Sequence, residues 1–544
     1  MKAKILIGSF LMASTMFSAC NDFLEEDPKG KLTAESYFKT QDELNMSLNA
    51  LYFQVNQSQI NTNVLYSQWQ GDDITANPGS NKQAVAEIDR FAATDGNKGV
   101  IDPWKNYYML VKAANYVINN AARTPTSEEE INIAIGNAKY WRAYAYFYLV
   151  RVWGAIPLNL DNVIDDYTDS PVPVERVYEQ IVADLTDAEK VLPTSYKDVP
   201  RKMFGVNVFI TQQATKATLS AVYMAMAGYP LNKDGYYAKA AAKAKEVIDG
   251  VNAGKYEYEM DSEFKQVYSM GNNYNNETVV GINYSPLHDW GQDSQFVNCN
   301  IFECLEIGGW GDGWGEISFW KRYPEGPRKD CVYQPKIRLK DGTLVDWWAK
   351  DSQGKPIVQD YHPMFSVFSV NVDDKGNDIA APFDYTLKPS TVMTNDHRHR
   401  LIRYSEVLLW YAESSARAGE TTALAKECLK KVRARGVEPS LANTVNGVAI
   451  DAMNAQQLAE AAYDEHGWEV AGYWCAIVTR RADQFRMNRL KETFDERAAN
   501  APIEVAPGIT AVEKNVFTNK TWNENLLYLP YPSVDALKNS NLKR

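Results

Sequence analysis

A glycine-rich run carries two indole rings and one carboxylate. Within residues 308–315, Trp310 and Trp314 stand on either side of Asp312 and are separated from it by glycines. The run lacks the G-x-G-x-x-G spacing and no Walker lysine follows it, so it does not predict a phosphate loop. Glycine lets a loop expose its side chains, an indole face can stack on the C–H face of a sugar ring, and a carboxylate accepts hydroxyl hydrogen bonds. The run predicts either a binding platform for a polyhydroxylated ligand or tryptophans packed into a local core.

A second group of candidate ligands lies nearer the N-terminus. Trp69 is followed by Asp72 and Asp73, and Asn77 stands a few residues further on. An aromatic ring beside two carboxylates and an amide suits a polyhydroxylated ligand, whereas Asp and Asn also occur as helix caps and turn formers for local reasons. Both interpretations stay open for these four residues. Trp290, which precedes the glycine-rich run, is a further candidate for binding a glycan.

The chain shows no convincing catalytic or metal-binding motif. It has neither a G-x-S-x-G elbow nor an H-E-x-x-H pair, and its 69 acidic residues make any pairing of carboxylates uninformative. No paired C-x-x-C ligands predict zinc, and a calcium-like loop at 371–378 has Lys375 where an oxygen ligand is needed. We therefore expect no metal, no cofactor and no catalysis.

The charge of the chain bears on its partners. A net charge of −12 argues against nucleic acid, because phosphate binding needs a concentrated basic surface. The short basic clusters at 398–400 and 480–481 are interpreted as solvated helix ends.

The first 20 residues are typical of a bacterial lipoprotein signal. Lys2 and Lys4 precede an apolar run at 5–17, and Cys20 follows two small residues. Cleavage after residue 19 would leave Cys20 as an acylated N-terminus, so the chain is expected to lie outside the cytoplasm, tethered to a membrane. In such an oxidising compartment Cys299 and Cys304 could form a disulfide, and the sequence leaves that open.

Helical periodicity dominates the N-terminal half and returns near the C-terminus. Apolar residues one turn apart predict helices at 177–192 and 212–227, and a third helix that Gly250 closes. A further helix pair is predicted around Gly419. The aromatic stripe at 140–148 has helical spacing and is expected to be core. Repeated hairpins with small residues at the crossings suggest tetratricopeptide-like units over about 30–255 and 400–495, with simple helical hairpins as the alternative.

The stretch from about 256 to 400 has a different composition. It is rich in Gly, Asn, Asp, Pro and aromatic residues, with short strand-like pieces such as 278–284. A loop-rich region this long inside a compact protein is more often functional than idle. The expected architecture is mainly α, a helical repeat scaffold that carries one irregular region, and residues 20–544 are expected to form a single domain.

Several segments, in order along the chain, resemble the SusD/RagB family of outer-membrane nutrient-binding lipoproteins. The segment at 141–151, with Gly154 and Pro157, is similar to the family's most recognisable helix, and 465–481 departs from the family pattern after Glu465, Glu469, Val470 and Ala471. The other similar segments are 20–28, 323–330, 402–413, 432–435 and 529–532 with Asn539, Asn541 and Leu542.

The resemblance implies a function as well as a fold. It implies four tetratricopeptide-like units, attachment to the outer membrane at the cell surface, and capture of an oligosaccharide without catalysis. It also implies a TonB-dependent SusC-like transporter as the partner that receives the ligand. A branch of the family resembling RagB captures peptides, so peptide capture is the alternative function.

Overall fold

The computed structural model describes residues 37–60, 69–161, 169–284, 295–296, 305–307, 309–367, 371–372, 375, 378–379, 386, 388–389 and 394–543. Cys20, Trp290, Cys299 and Cys304 lie outside these residues, so the expectations for the lipid anchor, for Trp290 and for the disulfide stay predictions.

The described chain is mainly helical. The helices are α1 (Gln41–Ile60), α2 (Gln83–Asp89), α3 (Lys98–Asn120), α4 (Glu128–Trp153), α5 (Val174–Val191), α6 (Gln212–Ala227), α7 (Tyr236–Asn252), α8 (Phe264–Val267), α9 (Ile317–Arg322), α10 (Pro327–Val332), α11 (Tyr404–Arg417), α12 (Ala423–Gly436), α13 (Ala455–Glu469), α14 (Arg480–Arg486), α15 (Leu490–Ala499) and α16 (Ser533–Ala536).

The strands are short and form small antiparallel pairs, with three strands in the widest sheet of the described residues. They are β1 (Ile74–Ala76), β2 (Lys202–Met203), β3 (Val206–Asn207), β4 (Thr278–Ile282), β5 (Gln295–Phe296), β6 (Gly313–Gly315), β7 (Ile337–Arg338), β8 (Leu344–Val345), β9 (Asn371–Val372), β10 (Asp378–Ile379), β11 (Lys388–Pro389), β12 (Thr394–Asn395), β13 (His399–Arg403), β14 (Thr444–Val445), β15 (Val448–Ala449), β16 (Ile503–Ala506) and β17 (Ile509–Ala511).

The long helices form one continuous stack. Helix α3 packs against α1 and α4, and the chain then continues through α5 and α6 to α7, each helix packing on the previous one. Helix α11 packs on α7, α12 and α13, so the two helical regions adjoin although about 150 residues separate them in sequence. The expected mainly α helical scaffold is confirmed, and the described residues between α7 and α11 form only short elements, as expected.

Local sequence explains where the longest helix starts and stops. Ser127 caps α4 by accepting a hydrogen bond from the backbone N–H of Glu130 at 3.3 Å, and three glutamates lie in the first turn, where the helix dipole favours negative charge. The helix ends at Gly154, whose φ of 68° lies in the left-handed region that glycine tolerates. The aromatic stripe at 140–148 is buried, which confirms its expected place in the core.

One helix boundary was predicted wrongly. Helix α7 continues through Gly250 to Asn252, and the turn comes at Gly254, where φ is 68°. Gly250 serves packing instead, because a Cβ there would lie 2.2 Å from a ring carbon of Tyr256. The same local signal, a glycine after an apolar stripe, arises from close packing as well as from helix termination.

The basic clusters are buried, which contradicts their interpretation as solvated helix ends. Arg398, Arg400 and Arg481 are each at most 2% exposed, and Arg480 is 8% exposed. Arg480 forms an ion pair with Asp72, with 2.7 Å between Nε and Oδ1, although the two residues are 408 positions apart in sequence. A buried charge needs such a partner, because desolvation is otherwise costly. The pairing depends on tertiary contacts that no local pattern shows.

Glu469, at the C-terminal end of α13, is the centre of a buried ion-pair network. Its Oε1 accepts hydrogen bonds from Arg403 at 2.8 Å and from Arg435 at 2.5 Å, and its Oε2 accepts one from Arg328 at 2.7 Å. Arg328 also pairs with Glu465 at 2.5 Å. Burial alone would raise the pKa of Glu469, but the three arginines outweigh it and hold the pKa at about 2. These residues belong to the segments that resemble the family, so those segments meet in one buried cluster.

Candidate functional site

The two candidate groups from the sequence lie side by side. Strand β1 pairs with β6 in an antiparallel register that places Thr75 opposite Trp314 and Ala76 opposite Gly313. The pairing extends beyond the strands, because the backbone N–H of Asn77 donates to the carbonyl of Asp312 at 2.9 Å. More than 230 residues of sequence separate these segments, so only the tertiary structure brings them together.

Two of the predicted platform residues are core residues. Trp69 and Trp314 are each 1% exposed, so neither indole can offer a face to a ligand at the surface. A Cβ on Gly313 would lie 2.4 Å from the ring of Trp69, and the ring of Trp314 stacks on His362 at 4.4 Å. The prediction for Trp69 and Trp314 as an exposed platform is therefore wrong. Glycine stands in β6 so that a buried ring can approach the backbone, and the alternative interpretation, local core packing, holds for both tryptophans.

Asp72 and Asp73 are also buried in the interior of the protein. Asp72 pairs with Arg480 and with Arg322, and these arginines outweigh burial and hold its pKa below the ordinary value. Asp73 accepts a hydrogen bond from the backbone N–H of Gly472 at 2.7 Å, and burial raises its pKa to about 6. Both side chains are 5% exposed, and their oxygens are taken by Arg480, Arg322 and the N–H of Gly472, which contradicts their prediction as direct glycan ligands. They join the start of β1 to Gly472 and to the first residue of α14.

Asn77 and Asp312 shape the loop rather than face solvent. The side-chain amide of Asn77 donates to the carbonyl of Gly311 at 2.8 Å, and its oxygen accepts from the N–H of Gly79 at 2.9 Å. Asp312 is 5% exposed and forms an ion pair with Lys82; burial raises its pKa and Lys82 partly offsets this. The turn-forming interpretation of Asn77 is the one that the structure supports. Asp312 holds the ammonium group of Lys82 in place through this ion pair.

Trp310 is the remaining described candidate, and it is half-buried. Its ring packs on the edge of the main core, and the ammonium group of Lys82 lies 5.8 Å from the ring centre. Gly311, with φ of 53°, turns the chain directly after it. The β1–β6 pairing thus fixes an indole with a cation above it at the edge of the loop-rich region. This group, Trp310 with Lys82 and Asp312, is the candidate site.

Two acidic residues near Gly311, Asp360 and Glu306, were not identified from the sequence. A Cβ on Gly311 would lie 3.1 Å from Oδ2 of Asp360, and that oxygen is buried with no hydrogen-bond partner among the described residues. Burial and repulsion from Glu306 raise the pKa of Asp360 to about 6. Oε2 of Glu306 is likewise buried and unpartnered in the described part of the chain. Of the two, only Glu306 could have been suspected from the sequence, because it lies close to the glycine-rich run.

Burial of unsatisfied acceptors is costly, so these two oxygens need donors that the described residues do not supply. Sugar hydroxyls and protonated amines are such donors. Within the described residues no three His, Cys, Asp or Glu side chains are grouped to hold a metal ion, and no helix has the length and apolar character needed to cross a membrane. The group combines one aromatic ring with several charged side chains, which are the residue types that bind polar ligands.

Comparison with family models places the chain among known proteins. Residues 22–224 match a family described as "Starch-binding associating with outer membrane", and residues 374–544 match one described as the "SusD family". The two matched segments together cover more than half of the chain. A SusD-like protein of Bacteroides ovatus is 27% identical over 375 residues, which are 63% of this chain and 63% of that relative. The chain thus aligns with less than two thirds of that relative's length.

Solved structures share the fold. A SusD homolog from Bacteroides thetaiotaomicron superposes with a TM-score of 0.70 at 20% identity, covering 94% of this chain and 97% of that one. A laminarin-binding SusD-like protein gives 0.67 at 19% identity, covering 92% and 98%. A structure with xylogluco-oligosaccharide gives 0.66 at 21% identity, covering 92% and 98%.

Proposed function

Because the chain belongs to the SusD/RagB family, we propose that it is a cell-surface lipoprotein that binds oligosaccharides and delivers them, uncleaved, to a TonB-dependent SusC-type transporter. The family descriptions support binding of a glycan at the outer membrane. The two structural relatives that carry laminarin and xylogluco-oligosaccharide in their descriptions support the ligand class. Acylation of Cys20 would tether the protein beside its transporter.

The observation that carries this proposal is the setting of Trp310. It is a half-buried indole held at a fixed position by the β1–β6 pairing, with Lys82 above it. Asp360 lies close to Gly311, the next residue, and Oδ2 of Asp360 and Oε2 of Glu306 have no hydrogen-bond partner among the described residues. An indole face buries the C–H face of a sugar, while charged groups exchange hydrogen bonds with its hydroxyls. A site fixed before binding loses little entropy on binding, and one ring with few polar partners gives modest affinity and easy release.

The first test is calorimetric titration of the lipid-free polypeptide, residues 21–544, against plant, host and microbial oligosaccharides and a peptide mixture. Saturable binding of one glycan class with no cleavage products is expected. Product analysis is essential, since two carboxyl groups near an aromatic ring also occur in glycosidases. Cleavage of the bound sugar would refute the non-catalytic role, and binding of peptides alone would favour the alternative of peptide capture.

Trp310→Ala then locates the site. Loss of the indole face is expected to weaken glycan binding at least ~10-fold, which is about 1.4 kcal/mol, while the melting temperature changes little. Trp522→Ala is the matched control, because Trp522 is also half-buried but packs in a separate cluster around Phe494. Equal weakening by both variants, or none by Trp310→Ala, would show that the glycan binds elsewhere.

A further inference from the structure

Arg398 and Arg400 are buried cations without a carboxylate partner. Arg398 precedes β13 and Arg400 lies in it, and their side chains are 2% and 0% exposed. Arg403, on the same strand, shows how a buried arginine is usually accommodated, because it pairs with Glu469 at 2.8 Å. Among the described residues, neither Arg398 nor Arg400 has such an ion pair. An uncompensated buried charge is strongly unfavourable, so the fold must offset these two charges in another way.

The two arginine side chains lie close together. Residues two apart on an extended segment point to the same side, and Nη1 of Arg400 donates back to the carbonyl of Arg398 at 2.9 Å. Nη2 of Arg398 lies 2.7 Å from the position of a Cβ on Gly281, the residue that pairs with Arg400 in the β13–β4 register. Burial and repulsion from Arg400 lower the pKa of Arg398 to about 10, and burial also lowers the pKa of Arg400.

The cluster contains hydrogen-bond donors that no described group accepts. Nε and Nη1 of Arg398 and Nε and Nη2 of Arg400 are buried without a partner among the described residues, and so is the hydroxyl of Tyr268. The ring of Tyr268 lies 5.5 Å from the guanidinium carbon of Arg400, and the ring of Tyr274 lies 4.9 Å from that of Arg398. These ring faces stabilise the cations in part, but they carry no negative charge. The unmade hydrogen bonds of buried charged groups remain costly.

The neighbouring titratable groups do not remove the positive charge. Burial lowers the pKa of His397 well below its ordinary value and that of His399 to about 3, so both rings are neutral near pH 7. Burial and repulsion from Glu277 raise the pKa of Asp261, although Arg400 opposes this rise. The cluster therefore keeps two positive charges without an ion pair in the part of the chain that the structure describes.

We propose that a small monovalent anion, such as chloride, binds in the interior between the guanidinium groups of Arg398 and Arg400. The anion accepts hydrogen bonds from the unpartnered N–H groups and from the Tyr268 hydroxyl, and it offsets one of the two positive charges. A halide ion suits donors that converge from several directions, because it accepts hydrogen bonds without a preferred angle. Since β13 leads directly into α11, the ion stabilises the connection between the loop-rich region and the helical stack. The proposal does not depend on glycan binding.

Thermal unfolding of the lipid-free polypeptide 21–544 tests the proposal in solution. Sodium chloride replaces sodium methanesulfonate, a bulky anion, at constant ionic strength. Because an ion that binds only the folded state stabilises it by mass action, the melting temperature is expected to rise by at least ~2 °C between about 1 and about 300 mM chloride. Bromide should give a similar rise.

Substitution locates the ion. Arg398→Met and Arg400→Met each remove half of the donors, so the chloride-dependent rise should fall below about 0.5 °C. Arg486→Met is the matched control, because Arg486 is also buried, at 4% exposed, but pairs with Glu413 and Asp483. The control should melt lower than the parent in both salts and keep the full chloride-dependent rise, which separates anion binding from a general loss of stability.

Crystals of the parent protein grown in sodium bromide give a direct readout that needs no variant to fold. An anomalous peak in contact with the guanidinium groups of both Arg398 and Arg400 is expected. Peaks confined to the protein surface would indicate an adventitious ion only and would overturn the proposal. Equal melting temperatures of the parent in the two salts, or a chloride-dependent rise that survives in Arg398→Met, would also overturn it.

Discussion

Replacement of Glu469 by Gln tests whether the buried network holds the helical stack and the loop-rich region together. Glutamine keeps the shape of the side chain but removes the charge that three buried arginines share. Breaking a buried pair by removing one partner costs roughly 3–5 kcal/mol. The pKa gives a similar figure, since a drop from 4.5 to about 2 corresponds to about 3 kcal/mol at neutral pH. We therefore expect Glu469→Gln to lose about 3 kcal/mol of unfolding free energy.

Equilibrium unfolding in urea at pH 7.5, followed by fluorescence and circular dichroism together, measures this loss. Glu179→Gln is the matched control, because Glu179 and Arg176 are 48% and 67% exposed in their ion pair and an exposed pair contributes at most about 1 kcal/mol. The folded-state pKa of Glu469 lies below its ordinary value. Its stabilisation is therefore complete above about pH 4.5 and is lost as the pH falls toward 2. Equal stability of the two variants at pH 7.5 would refute the central role of Glu469.

Two further variants test the buried assignment of the predicted ligands. Gly313→Ala should destabilise the protein by roughly 1–3 kcal/mol, since its Cβ would meet the ring of Trp69. Gly96→Ala should change the free energy of unfolding by no more than about 0.5 kcal/mol, because a Cβ there would have nothing within 4 Å. Equal urea midpoints of the two variants would contradict the packing. Asp73→Asn keeps the acceptor for Gly472 and removes a charge that folding disfavours. Because its folded pKa is raised to about 6, wild-type stability falls as the pH rises from 3.8 to 6. The variant should therefore melt higher than wild type at pH 7.5 and equally at pH 3.5; a lower melting temperature at pH 7.5 would refute this.

The helices were predictable because their signals are local. Apolar residues one turn apart, caps such as Ser127 and terminators such as Gly154 act within a few positions, so the periodicity predicts the elements before any tertiary contact is known. The error at Gly250 marks the limit of this reasoning. A glycine is also required where another segment approaches closely, and the sequence does not distinguish the two causes.

The candidate site was only partly predictable. The two segments selected from the sequence are the ones that β1 and β6 bring together, but the sequence could not say which side chains point inward. Trp310 and Trp314 have the same glycine neighbours, yet only Trp310 lies at the edge of the fold. Lys82 and Asp360 had no local signal, because each acquires its role from a residue more than 45 positions away.

The sequence by itself determined the helical scaffold, the position of the irregular region and the resemblance to a family, since each depends on residue types at short, regular spacings. The tertiary structure decided which charges are buried and which of the two indoles of the glycine-rich run is fully buried. Glu469 and Arg328 are 141 residues apart, and Asp72 and Arg480 are 408 apart. Partners so distant are chosen by packing of the whole chain, and whether a polar residue binds a ligand or stabilises the core depends on whether such a partner reaches it.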